Sequence, residues 1–169
     1  MNILALDCSG RTVGWASIWR GVIDSGVKAF AVGRGESPGM AWLRFRRWLR
    51  EIGTIALDGS AAYDLIVYEQ AHLRGGAATH VAETLIGYVE EFAAEYGIEH
   101  QPVHSRTLKA YATANGNAGK PLMLSEAQRR WPEQTWVDDN EVDAWWLLQL
   151  AQEQYGEVAQ AAEEGRDGA

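Results

Sequence analysis

Cysteine is nearly missing from this sequence: Cys8 is the one thiol among 169 residues. A lone thiol excludes an intramolecular disulfide and fits a reducing compartment. Histidine is sparse, and no His/Cys ligand set of the kind a zinc site needs is present. No stretch approaches the ~18 uncharged apolar residues that a membrane helix requires. The chain runs from Asn2 straight into Ile3-Leu4-Ala5-Leu6-Asp7, without the basic region, apolar stretch and cleavage site of a leader. Internal repeats are lacking. These absences predict a soluble, cytoplasmic chain with no membrane partner, and they exclude a disulfide scaffold, collagen and coiled coil.

The length corresponds to about one domain, long enough to bury a core without a structural metal. Hydrophobic residues make up 47% and charged residues 22%, near the soluble average. The net charge of −8 argues at first against a nucleic-acid partner, but the distribution matters more than the sum. Residues 151–169 hold five acids against Arg166, and the remaining 18 acids face 14 bases. If several of those acids gather at one metal site, bound cations neutralise them locally.

Ile3–Asp7 reads as a strand, and Val13–Trp19 alternates as a second one after a turn-rich connector of hairpin length. A third strand is expected over Val27–Val32. Met40 to about Leu57 carries Trp42, Leu43, Phe45, Trp48, Leu49 and Ile52 at helical spacing. Leu65-Ile66-Val67-Tyr68 is a fully apolar run, as in a strand covered on both faces, and stops at Glu69. A helix is predicted over Ala77–Tyr96 and a fifth strand over Ile98–Val103. Ser105 is the expected N-cap of a helix over Arg106–Ala114, and Pro121 starts another to Arg130. The last helix begins near Asp138–Asn140 and runs to about Ala162, ahead of an acidic, frayed tail over 163–169. The order predicts one α/β domain over residues 1–162, with a five-stranded mixed sheet flanked by helices. Trp145-Trp146 point to two neighbouring faces of the last helix, and two adjacent large aromatics are hard to bury in a monomer.

Four acids stand out by position. Asp7 ends the first strand and Glu69 ends the most apolar one. Asp139 and Asp143, four residues apart, share one face of the last helix. An acid after a buried strand also caps turns or meets an arginine, and Asp138-Asp139 suits a helix N-terminus. Asp143 is harder to explain that way: it lies between Val142 and Ala144-Trp145-Trp146, where an unpaired charge is costly. Carboxylates gathered without His or Cys suit magnesium or manganese. Two such ions about 3.5–4 Å apart stabilise both the attacking and the leaving oxygen in phosphodiester cleavage.

Five motifs in this order resemble a known family: Ile3-Leu4-Ala5-Leu6-Asp7 with Gly14-Trp15-Ala16; Ile66-Val67-Tyr68-Glu69-Gln70; Ser105-Arg106-Thr107-Leu108-Lys109; Gly116-Asn117-Ala118-Gly119-Lys120; and Asp138-Asp139-Asn140-Glu141-Val142-Asp143-Ala144. From Ile3 to about Leu150 the chain resembles the RuvC-type Holliday-junction resolvases of the RNase H-like group, most closely their phage-borne relatives. The resemblance implies an RNase H-like fold. It also implies that Asp7, Glu69 and Asp143 coordinate two Mg2+ ions, with Mn2+ as substitute. The family's remaining acid or histidine usually stands at the place of Asn140. Asp139 is the acid on the same helical face and is the expected fourth ligand, with Asn140 in reserve. Lys109 and Lys120 match basic positions near the scissile phosphate, where they offset phosphate charge; the chain has three lysines in all, and two fall here. His72 takes the place of an aromatic that stacks on bases at the junction centre. Arg74, beside Gly75-Gly76, suits phosphate contact at a helix mouth, and Arg106 flanks the lysine motif as a weaker DNA contact. The helix over Ala77–Tyr96 is implied to build a two-fold homodimer, one active site for each of two symmetric cuts.

The expected activity is therefore that of a magnesium-dependent endonuclease resolving four-way or other branched DNA by paired phosphodiester hydrolysis. Water attacks phosphorus in line and the 3′ oxygen leaves. Three rivals stand beside it: an RNase H-like nuclease on another substrate such as RNA–DNA hybrid, an actin-like ATPase or kinase, and a non-catalytic structure-specific DNA-binding protein. The ATPase reading needs a second phosphate-binding loop and more chain than is present.

Overall fold

The computed structural model describes residues 1–55, 57–71 and 76–167. Its elements are β1 (Ile3–Asp7), β2 (Thr12–Trp19), β3 (Val22–Ala29), α1 (Gly39–Gly53), β4 (Leu65–Glu69), α2 (Ala77–Tyr96), β5 (Glu99–Val103), α3 (Ser105–Thr113), α4 (Lys120–Arg130) and α5 (Asp139–Asp167). The strands form one mixed sheet in the order β3-β2-β1-β4-β5. β1 pairs antiparallel with β2 and parallel with β4, and β5 continues parallel to β4. Parallel neighbours cannot be joined by a tight turn, so helices make the crossovers.

The period of two along β1 and β4 sorts the interior into two layers. Ile3 and Ala5, with Leu65 and Val67, pack against Leu108 of α3, Met123 of α4 and Val142 and Trp146 of α5. Leu4 and Leu6, with Ile66 and Tyr68, pack against Phe45 and Trp48 of α1 and Leu85 of α2. The next residue of the first layer is Asp7 on one strand and Glu69 on the other. The parity that builds the core thus turns both acids toward α5. Because β1 and β4 run parallel, both acids also reach the same rim of the sheet.

The third strand lies at Val22–Ala29 rather than Val27–Val32. Its hairpin turn is two residues long, with Arg20 at φ 50° and Gly21 at φ 81°, the left-handed pair that matches strand twist. As an edge strand it leaves Val22 and Ile23 exposed, so no apolar alternation marks it. Phe30, inside the expected range, is buried beyond the strand end. Helix α1 stops at Gly53, short of Leu57, where the glycine lies so close under Phe92 that a Cβ would overlap the ring. Helix α5 continues to Asp167, past the expected end near Ala162.

Two local expectations are corrected. His104, not Ser105, is the N-cap of α3: its Nδ1 accepts the Arg106 N–H at 3.1 Å. Ser105 is the first helical residue and is buried. Trp145 and Trp146 are both buried within one chain. Trp131 stands edge-on to the two rings, with centroids 5.8 and 4.9 Å away, and Trp136 covers Trp145 at 5.3 Å. Arg130 lies 4.9 Å over Trp146, whose indole N–H reaches the Met123 carbonyl at 3.2 Å. The segment from Arg130 to Trp136 thus supplies, within one chain, the cover that makes burial of both rings possible.

Candidate active site

Asp7, Glu69 and Asp143 line one cavity of about 240 Å³ together with Ser9, Ser105, Leu108, Lys109, Lys120 and Met123. Each acid is delivered by a different rigid element: the ends of β1 and β4 and the first turns of α5. Leu108 and Met123 are the apolar floor, shared with the core. Ser9, Ser105, Leu108 and Met123 are cavity residues that the sequence did not point to as part of a site, although Ser105 and Leu108 fall in one of the motifs. For Ser9 a signal existed, since an Asp followed two residues later by Ser favours a turn in which the carboxylate accepts the downstream N–H.

Asp7 is 2% exposed. Burial first, then the nearby Asp143 and Glu69 charges, push its carboxyl up to about 8. Two bonds from Ser9 act the other way: its N–H donates to Oδ1 at 3.1 Å and its hydroxyl approaches Oδ2 at 3.3 Å. Asp143 is pushed up to about 7, again by burial first and then by Glu69, against the pull of Lys120 and Lys109. Both groups ionise near 3.8 when exposed. A carboxyl whose value is raised by folding stabilises the fold fully below the unfolded value, and that contribution is lost as pH rises through the folded one. In chelator, the melting temperature is expected to fall from pH 4 to about pH 9, and less steeply in Asp7→Asn, which removes one titrating group. Parallel melting curves of the two proteins across that range would contradict the placement of Asp7.

The remaining expected site residues fall differently. Asp139 does not line the cavity; its carboxylate pairs with Lys120 at the mouth. The expected fourth acid is thereby placed as an anchor for a lysine that does line it. Asn140 also lies outside the lining, and Asp138 caps α5 by accepting the Asn140 and Glu141 N–H groups at 2.9 and 3.2 Å. Arg106 is exposed on the first turn of α3 and away from the lining. His72 and Arg74 lie outside the described residues.

A divalent cation can be tested against this donor set. Among the described residues, no three acidic, histidine or cysteine side chains are grouped closely enough to hold a metal ion between them. The three carboxylates instead stand around the cavity wall. Their chemistry nonetheless fits a hard cation: the charged donors are all oxygens, two are desolvated, and they repel one another. Asp7, Glu69 and Asp143 are the residues that would hold it.

No protein-family model matches the chain, and no curated protein matches it. Solved structures do. The architecture is the RNase H-like one found in Holliday junction resolvases. The RuvC of Thermus thermophilus, in complex with a Holliday junction substrate, aligns with 94% of this chain and 96% of its own at a TM-score of 0.71 and 13% identity. The fowlpox virus Holliday junction resolvase covers 92% and 99% at a TM-score of 0.51 and 12% identity. The yeast mitochondrial Holliday junction resolvase Ydc2 covers 86% and 75% at 0.52 and 10%. At such identities the likeness is one of fold. Among the described residues, no helix is long and apolar enough to cross a membrane.

Proposed function

We propose that this protein is a divalent-metal-dependent endonuclease that cuts four-way DNA junctions. The observation that carries the reading is the meeting of Asp7, Glu69 and Asp143 with Lys109 and Lys120 around one cavity. That cavity opens at the rim of a fold shared with junction resolvases, one of them solved on its substrate. Mg2+ or Mn2+, held as two ions by the three carboxylates, would supply Lewis-acid stabilisation of the phosphate oxygens and a more acidic water. The chain's own part is positioning and charge. Burial strips water from the Asp7 and Asp143 carboxylates, so bulk solvent screens their charge less. Lys120, steered by Asp139, and Lys109 offset the charge that gathers on the phosphate in the transition state. Lys109 and the exposed Arg106 also offer backbone contacts on the α3 side of the mouth. His72 and Arg74 are proposed as further DNA contacts on the strength of the sequence resemblance alone.

The active form is a homodimer, because a four-way junction presents two symmetric cleavage positions and an isologous pair brings one site to each. Cutting occurs in the cytoplasm, of a bacterial host if the chain is phage-borne. The overall acidity is compatible with DNA binding once cations occupy the carboxylates. The test is cleavage of a synthetic four-way junction, a linear duplex of the same sequence and an RNA–DNA hybrid, each with Mg2+ and with chelator. Paired nicks in the junction that vanish in chelator, with the duplex left intact, are expected. Preferential cutting of the hybrid would replace the junction reading, and cutting of nothing with Mg2+ would leave only DNA binding.

A further inference from the structure

The Ser9 hydroxyl has one proton and two acceptors, Asp7 Oδ2 and Asn140 Oδ1, both at 3.3 Å. The Asn140 amide is held in one orientation because its Nδ2 donates to Asp138 Oδ2 at 3.0 Å. Asp138, in turn, is fixed by the backbone N–H groups of Asn140 and Glu141. The hydroxyl proton serves one of these oxygens at a time, so Ser9 is a shared donor that links the α5 cap, through Asn140, to the β1 carboxylate. The Asn140 backbone is seated as well. It packs on Gly14, the residue paired across the β1–β2 ladder with Asp7. Two contacts of different kind thus tie the start of α5, which carries Asp143, to the strand end that carries Asp7.

We infer that Asn140 and Ser9 are positioning residues that set the orientation of the Asp7 carboxylate and its distance from Asp143, and that Asn140 is not itself a metal donor. The inference rests on the metal-binding reading of the cavity, but part of it is measurable without metal. A carboxylate at position 140 would face the Asp138 carboxylate where an amide now donates, so it would break the link rather than strengthen it.

The experiment is Mn2+ titration of the full chain without DNA, followed by the electron paramagnetic resonance of free Mn2+. Asn140→Asp, Asn140→Ala and Ser9→Ala are each expected to weaken Mn2+ binding about 10-fold, the scale found when groups that orient a ligand are removed. Ser9→Thr, which keeps the hydroxyl, should restore affinity to within about twofold of wild type. Ser9→Ala combined with Asn140→Ala should be no worse than either alone, because both break one link. Tighter binding by Asn140→Asp would overturn the inference and make position 140 a donor site, and unchanged binding in all variants would overturn it too. Should the wild type bind no Mn2+, the metal reading fails by itself. The positioning role is then decided by amide exchange at Ser9, whose N–H rests on Asp7. Exchange about tenfold faster in Asn140→Ala sustains the role, and an unchanged rate removes it.

Discussion

Asp7→Asn is expected to lower junction cutting by about 10³-fold or more, roughly 4 kcal/mol of transition-state stabilisation, while the fold survives. The substitution is nearly isosteric, and the Ser9 N–H that donates to Asp7 Oδ1 finds an amide oxygen in the same place. What disappears is the charge. That charge is unwelcome in the metal-free protein, because burial and the neighbouring Asp143 and Glu69 oppose ionisation of Asp7. The variant should therefore melt no lower than wild type at pH 8 in chelator, and its loss of activity cannot then be ascribed to unfolding. Single-turnover cleavage of a labelled junction under Mg2+ measures the first quantity and a thermal melt the second. Retention of more than about a tenth of the rate would remove Asp7 from the chemistry.

Gly14→Ala should damage both stability and activity, although position 14 carries no functional group. A Cβ there would overlap the Asn140 carbonyl and come within 2.9 Å of the Glu141 backbone nitrogen. These are backbone atoms at the start of a helix, so no side chain can swing aside. The start of α5 must move instead. With it would go Glu141, a buried acid that accepts the Ser25 hydroxyl and the Val137 N–H at 2.7 Å each. Overpacking of this kind costs about 1–3 kcal/mol, occasionally more, and a displacement near 1 Å at a reacting centre costs about 10²-fold in rate. Chemical denaturation and the same cleavage assay measure both. Wild-type stability together with wild-type cutting would show that the helix start can shift freely, and that the site does not depend on where it sits.

Much of this architecture was readable from residue patterns, and the reasons differ by element. Leu65–Glu69 and Ile3–Asp7 carry unbroken apolar runs ending in an acid, because both strands are covered on two faces. The rim where those acids meet follows from their parallel pairing. β3 was misplaced because an edge strand need not alternate, and because its turn uses Arg20 at positive φ, a residue that gives no turn signal. The capping role passed from Ser105 to His104 because the serine is needed inside, at the cavity wall. Residue spacing placed Asp139 on the same helical face as Asp143, but spacing says nothing of competing partners, and Lys120 draws that carboxylate to the mouth. The two tryptophans of α5 looked too large for one chain because Trp131 and Trp136 belong to a connecting segment whose packing no periodicity announces.

Strand parity has a consequence for how such a chain can vary. Because Asp7 and Glu69 continue the same odd-numbered columns that fill the α5-side layer, removing one residue from β1 would exchange the two hydrophobic layers and aim the carboxylate at the opposite side. Removing two would preserve the layers yet pull the acid back from the rim. Neither length change leaves both intact, so β1 and β4 are frozen in residue count, and drift in length is confined to the connections between elements. Comparisons among distant chains of this shape should find gaps in those connections and none between Ile3 and Asp7 or between Leu65 and Glu69.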